Sequence, residues 1–238
     1  MKIGILVTNT DDSDFARSQP SDGEKFTRLM QAVRPEWNYR VYDCVAGSFP
    51  ETLDECDGFI IGGSPASVND GNAWVAQLLR LIRDLHAGHR PMAGCCFGHQ
   101  AIAKALGGEV KHNPNGWGFG VANTNYKMPQ PWMQPPVKNL ALYAAHSEQV
   151  TQLPEGAIVL GGSDFCPIGG FAVGDHIMTT EYHPEMSEDF FVGLTHAFEK
   201  YIGEGVATDA RRQAETPAQG EIFAEWMARF FEGQPKRV

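Results

Sequence analysis

Two short stretches carry side chains able to do covalent chemistry. Gly94-Cys95-Cys96-Phe97-Gly98 sets a thiol between glycines two residues away on either side, and Glu181-Tyr182-His183-Pro184-Glu185 sets an imidazole two residues from a carboxylate. A thiol attacks as thiolate, so it needs a base, and the base needs a third group to hold its tautomer. Small residues at both flanking positions are what a sharp strand-to-helix turn requires, and they centre on Cys96. Such a turn lifts the side chain out at the C-terminal edge of a sheet and leaves it at a helix N-terminus, where the positive end of the helix favours thiolate. Cys95, one residue earlier on a strand, faces the other way and is expected in the core. Pro184 favours extended backbone at His183, which puts His183 and Glu185 on one side of the chain. Each stretch alone has a plain structural reading, as two buried cysteines at a tight turn or a surface histidine beside a solvated glutamate. Their joint occurrence favours Cys96 as nucleophile, His183 as base and Glu185 as its orienter. The other histidines read differently: His86, His89, His112, His176 and His196 as helix or loop surface residues, and His99 as a helix-packing residue.

The flanking sequence supplies elements to position these groups. Residues 2–8 form an apolar, β-rich run, followed by a polar loop over 9–24. Residues 23–33 have apolar positions Phe26, Leu29, Met30 and Val33 at helical spacing, ended by Pro35. YRVYDC and GFIIGG read as further strands, the second buried on both faces. Residues 72–87 form an amphipathic helix, PMAGC a short strand, and FGHQAIAKALGG a helix closed by glycines. Strands alternating with helices imply a parallel sheet covered on both faces. The second half offers EVKHNP, GVANTNY, LALYAAHSEQV, AIVLGGS, GGFAVGD and HIMTTEYHP, short strands expected to add to one edge of that sheet. Helices are expected over about 187–201 and 217–232, the latter capped by Thr216 with Pro217 first in the helix, and TDARRQAETPAQG as the polar connection between them. The Pro-rich MPQPWMQPP, residues 128–136, reads as a surface loop.

Composition narrows the function. With 238 residues the chain can bury a substantial core, and a formal net charge of −10 with no Lys/Arg run argues against nucleic-acid binding. No apolar stretch approaches the roughly 20 residues of a membrane helix. The N-terminus reads as a first strand and not as a signal peptide. Five cysteines in no framework spacing suggest reduced thiols and a cytoplasmic location, and without a CxxC pair no metal is expected. The phosphate-binding glycine loops of ATP and dinucleotide sites are missing, so no cofactor is expected.

GCCFGHQ resembles the nucleophile signature of class I, triad-type glutamine amidotransferases, and YHPE resembles their His-x-Glu signature. Residues 58–70, GWGFGV at 116–121 and HSEQV at 146–150 extend the likeness over most of the chain, and it is nearest to stand-alone, GMP-synthase-like members, which include γ-glutamyl peptidases. The resemblance implies one domain over 1–238, a flavodoxin-like three-layer α/β/α architecture, and attack of the Cys96 thiolate on a γ-glutamyl amide to form a thioester. It implies an oxyanion hole of backbone N–H groups, one from Phe97 and one from the Gly62-Gly63-Ser64-Pro65 turn. Family members more often have glycine at position 64, which leaves both Gly63 and Ser64 as candidate donors. Gln100 falls where the family holds the amino-acid end of the substrate, with an amide able to donate and accept. Gly116, Trp117 and Gly118 match a segment lying along the substrate, although Trp117 also suits a core. His146 matches a supporting turn. Glu181 stands where the family commonly has glutamine. The implied partner is a small γ-glutamyl substrate, with a synthetase that accepts ammonia as the alternative, and a binding or redox-sensing protein of the same fold as a third reading. Segments 9–24 and 128–136 are the expected sources of substrate selectivity.

Overall fold

The computed structural model describes residues 1–233. In chain order the elements are β1 (Lys2–Val7), α1 (Asp14–Arg17), α2 (Asp22–Val33), β2 (Asn38–Asp43), β3 (Gly58–Ile61), α3 (Ala73–Ala87), β4 (Met92–Cys95), α4 (Phe97–Ala105) and β5 (Glu109–His112). Then follow β6 (Gly118–Tyr126), β7 (Asn139–His146), β8 (Glu148–Gln152), β9 (Ala157–Gly162), β10 (Gly170–Val173), β11 (Ile177–Thr180), α5 (Glu188–Ile202), α6 (Glu204–Ala214) and α7 (Gly220–Glu232). Nine strands form one sheet in the order β2-β1-β3-β4-β11-β10-β9-β6-β7, and β5 pairs with β8 apart from it. The first five are mutually parallel, in a flavodoxin-like order, and the last four are joined by antiparallel pairings.

Alternation along the strands assigns side chains to layers. Ile3 and Ile5 of β1 pack with Phe26 and Met30 of α2 and with Trp226, Phe230 and Phe231 of α7, while Leu6 joins α3 and α4 on the other face. Along β7, Leu140, Leu142 and Ala144 join the α7 side, and Tyr143 meets Phe191 and Leu194 of α5. Burying each of these large apolar side chains contributes about 1.5–3 kcal/mol. α2 begins at a capping box, in which Ser21 Oγ accepts from the Glu24 amide and Glu24 accepts from the Ser21 amide.

Four sequence expectations need correction. Much of the "polar connection" after α5 is helix α6: Ala207, Ala210 and Ala214 recur at helical spacing and are buried, and Gln213 Oε1 accepts the Val121 amide of β6 at 2.9 Å. An alanine stripe amid DARRQAE carries too little apolar area to read as amphipathic. The final helix starts at Gly220, not at Pro217, because Gln219 is bound to the sheet edge: its amide donates to Ala141 O at 2.7 Å and its Oε1 accepts the Ala141 amide at 3.0 Å. The polar loop over 9–24 holds helix α1, capped by Ser13, and the first turn of α2. LALYAAHSEQV is two strands, broken at Ser147, which belong to different sheets.

Candidate functional site

Cys96 joins β4 to α4 with φ 49° and ψ −109°, one of two non-glycine residues with positive φ among those described. Such backbone is strained and persists only where its surroundings impose it. The Cys96 amide donates to Thr180 O at 2.9 Å, at the end of β11. The flanking glycines leave no room for a side chain. A Cβ at position 94 would lie 2.8 Å from the carbonyl oxygen of Gly98, and one at 98 would lie 2.2 Å from Ile61 O. Backbone atoms cannot give way as a side-chain tip can, so Gly98→Ala is expected to cost about 3 kcal/mol of stability. Urea denaturation reads this directly, and an unchanged midpoint would show that the turn tolerates a Cβ.

The turn after β3 abuts the elbow. Gly98 N–H donates to Gly62 O at 3.0 Å, and Thr8 Oγ lies 3.1 Å from Gly62 O and 2.9 Å from Gly63 O. With both carbonyls held, planar trans peptides fix the directions of the Gly63 and Ser64 amides. Neither of these amides, nor that of Phe97 at the first position of α4, donates to an acceptor among the described residues. Position 64 does not require glycine: the φ of Ser64 is negative and its Oγ turns back to accept the Ala66 amide.

His183 follows β11 and pairs with Tyr143 in an antiparallel bridge, its amide donating to Tyr143 O at 2.8 Å. Its Nδ1 lies 2.7 Å from Glu185 Oε1, and both side chains are buried. A Cβ at Gly63 would lie 2.8 Å from His183 Cε1 and 3.7 Å from Cys96 Cβ, so imidazole and thiol meet over this glycine. His183 Nε2 has no hydrogen-bond partner among the described residues. Burial works against charge on the ring, but Cys96 and Glu185 beside it outweigh burial and hold His183 well above the ordinary imidazole range. Cys95 is fully buried, and burial pushes its thiol well up.

Gln100 is oriented by two acceptors. Its Nε2 donates to Glu148 O at 3.0 Å and to Glu181 Oε1 at 2.8 Å, which uses both amide protons and leaves the carbonyl oxygen as the group available to a ligand. Glu181 is fully buried, and its Oε2 lies 3.4 Å from His99 Nε2, neither atom having a hydrogen bond among the described residues. Burial, with Cys96 nearby, pushes Glu181 well above the usual carboxylate range, and burial pushes His99 down to about 3. Both shifts favour the uncharged forms of the pair. A carboxyl raised in the folded state keeps its full contribution to stability below the ordinary value of 4.5 and loses it as pH rises toward the folded value. Glu181→Gln is neutral at every pH and removes that loss. Its melting temperature should match the parent near pH 4 and exceed it at pH 8, the difference growing as pH rises from the ordinary carboxyl value toward the raised one. Equal melting at both pH values would mean that Glu181 is ionised in the fold.

Two cavities open on Cys96. One, of about 730 Å³, is polar and includes Gln100, Lys111, His146 and Glu148. His146 is buried, which pushes it down to about 4, and its Nδ1 lies 3.0 Å from Glu148 O. The other, of about 450 Å³, is walled by Phe15, Trp117, Phe119, Phe190, Leu194 and Phe198, and Asp11, Arg17 and Lys25 also line it. Trp117 borders both cavities, Gly118 abuts the His146 ring, and Gly116 (φ +87°) lies in the preceding turn and lines neither. Segment 9–24 thus borders the site. Segment 128–136 lies at the far end of the β6–β7 hairpin, roughly 27 Å along the strand from Gly118. There Trp132 packs on Phe230, and Pro135 O accepts from Trp226 Nε1, so it is a pinned loop remote from Cys96. The sequence reading missed the aromatic wall from α1 and α5. The only available signal was Phe15, a lone aromatic in a polar run. His176 also departs from expectation: it is buried, not a surface residue.

Comparison with known proteins accords with this arrangement. The model of the family "Glutamine amidotransferase class-I" matches residues 33–191. Gamma-glutamyl peptidase 3 of Arabidopsis thaliana is 28% identical over 240 residues, covering 95% of this chain and 94% of that protein. Gamma-glutamyl peptidase 4 of the same plant is 30% identical over 199 residues, covering 80% and 78%. The crystal structure of a glutamine amidotransferase from Methylobacillus flagellatus shares the fold, with a TM-score of 0.76 over 99% of this chain and 96% of that one at 22% identity. The matched span takes in the elbow and the His-x-Glu segment alike, and on this match the chain belongs to the class I glutamine amidotransferase family.

Proposed function

We propose that this chain hydrolyses γ-glutamyl amides through a thioester on Cys96, and that its leaving group is larger than ammonia. The observation that carries the reading is the position of Cys96, at a strained elbow beside the His183–Glu185 pair and at the junction of a polar and an aromatic cavity. In the polar cavity the Gln100 carbonyl oxygen suits the α-ammonium of a glutamyl group. The aromatic cavity has room for an apolar amine, and ammonia would leave it unused. Relatives of 28–30% identity that are named gamma-glutamyl peptidases support the same class of substrate.

His183 takes the Cys96 proton, and the thiolate attacks the γ-carbonyl carbon. The carbonyl oxygen becomes an oxyanion, received by the Phe97 N–H and by an N–H of the Gly63-Ser64 turn. The imidazolium returns its proton to the leaving nitrogen as the C–N bond breaks, and the amine departs. Water then gives a proton to His183 and adds to the thioester carbon. The C–S bond breaks, glutamate leaves and the thiol is restored. Glu185 holds Nδ1–H throughout, so that Nε2 remains the nitrogen that exchanges protons.

The test is glutamate release by the pure protein from glutamine, glutathione, an aromatic glutathione S-conjugate and a γ-glutamyl arylamine. The kcat/KM for the aromatic substrates should exceed that for glutamine by at least about 10-fold. Release from glutamine alone would favour a glutaminase that feeds a partner, and no release from any of the four would sink the stand-alone reading.

A further inference from the structure

A second cluster of chemically capable side chains lies at the opposite edge of the sheet. His86 is in the last turn of α3, His89 follows in the loop to β4, and Asp175 and His176 belong to the turn between β10 and β11. Met92 N–H donates to His176 O at 2.8 Å, which ties that turn to the start of β4. Ile177 is in register with Met92 and Thr180 with Cys95. The cluster and the nucleophile are therefore separated by the length of these strands, about 13 Å.

One donor atom from each of His89, Asp175 and His176 lies within 4.8 Å of the other two. His176 is 3% exposed. Its Nε2 is 3.0 Å from His86 Nδ1, while its Nδ1 is buried without a hydrogen-bond partner among the described residues and lies 3.6 Å from Asp175 Oδ1. Gly174, at φ +55°, keeps the space beside that nitrogen clear: a Cβ there would sit 3.1 Å from Nδ1. The His176 ring packs against those of His86 and His89, and in the tautomer that donates Nε2–H to His86 its Nδ1 presents a lone pair with room beside it and a carboxylate nearby. An imidazole held through its far nitrogen is also how proteins orient metal-ligating histidines.

We propose that His89, Asp175 and His176 bind a divalent transition-metal ion of the zinc class, with His86 as the residue that orients His176. Two imidazoles and one carboxylate suit zinc or cobalt, whereas calcium and magnesium require sets of oxygen ligands. Water completes the coordination. The ion links the α3–β4 loop to the β10–β11 turn, both of which lead into strands that run to the elbow. It sits too far from Cys96 to touch a reacting atom, so its effect is on stability.

The test uses untagged, chelator-treated protein, both as wild type and with Cys96→Ala to remove the competing thiol site. Calorimetry with Zn²⁺ should give one equivalent bound in the Cys96→Ala chain. Co²⁺ should give visible absorption of the kind expected for nitrogen and oxygen ligands, and Zn²⁺ should raise the melting temperature. Asp175→Ala and His89→Asn both change exposed residues, and asparagine tolerates the positive φ at position 89. Each should weaken Zn²⁺ binding at least 10-fold while melting like the parent in EDTA. Failure of the Cys96→Ala chain to take up Zn²⁺, or uptake that neither variant weakens, overturns the proposal.

Discussion

Cys96→Ala is expected to lower glutamate release from γ-glutamyl substrates by on the order of 10⁴-fold or more, leaving only what binding and oxyanion contacts supply. Cys95→Ala is the informative control. Cys95 is one residue away and chemically identical, but it is fully buried within β4, and burial suppresses its ionisation. Removing it should cost on the order of 1 kcal/mol of stability and leave turnover within a few-fold of the parent. The contrast isolates geometry as the cause. Both thiols stand in the same short sequence, and only the one at φ 49° is lifted from the sheet toward His183 and the cavities. Steady-state kinetics on both variants, with denaturation curves to confirm folding, check the prediction. Equal losses in the two would mean that the thiols act through packing.

The second large effect is expected from Glu185→Gln. At 2.7 Å, Glu185 Oε1 accepts Nδ1–H of His183 and so keeps Nε2 free to exchange protons. A glutamine that turns its NH₂ toward Nδ1 forces the proton onto Nε2, and the ring can no longer take one from the thiol. The expected loss in kcat/KM is about 10²–10⁴-fold at neutral pH. The pH profile carries the sign. Burial lowers the affinity of His183 for its proton, while Cys96 and Glu185 raise it above the ordinary range. Losing the Glu185 charge leaves burial less opposed. In the proposed mechanism the imidazolium protonates the leaving amine; it would then deprotonate at lower pH, and the alkaline limb of kcat/KM should move down in pH. A reduced rate with an unmoved alkaline limb would argue that Glu185 only packs beside the ring.

The candidate catalytic groups are legible because their signal is local. Gly94, Cys96 and Gly98 announce an elbow through steric limits that act within five residues, and His183-Pro184-Glu185 announces a shared face through extended backbone. The alternation of strands and helices likewise gave the parallel half of the sheet. Nothing local says that Thr180 delivers its carbonyl to the Cys96 amide, or that Thr8, 54 positions before Gly62, fixes the turn opposite the elbow. Those contacts depend on strand order.

The aromatic wall beyond Cys96 was illegible for the same reason. Phe15 precedes Phe190 by most of the chain, and their rings come to 5.5 Å only once α1 and α5 are docked. Helix α6 was hidden because its buried stripe is alanine, and the start of α7 because Gln219 is claimed by the edge of β7. The sequence by itself determined the nucleophile candidate, its base and the α/β class, since each follows from short-range sterics and periodicity. The tertiary structure alone decided which groups Gln100 and Glu181 face, what walls the cavities beside Cys96 and that His176 is buried beside Asp175. Burial and long-range neighbours set those properties, and a linear pattern does not record them.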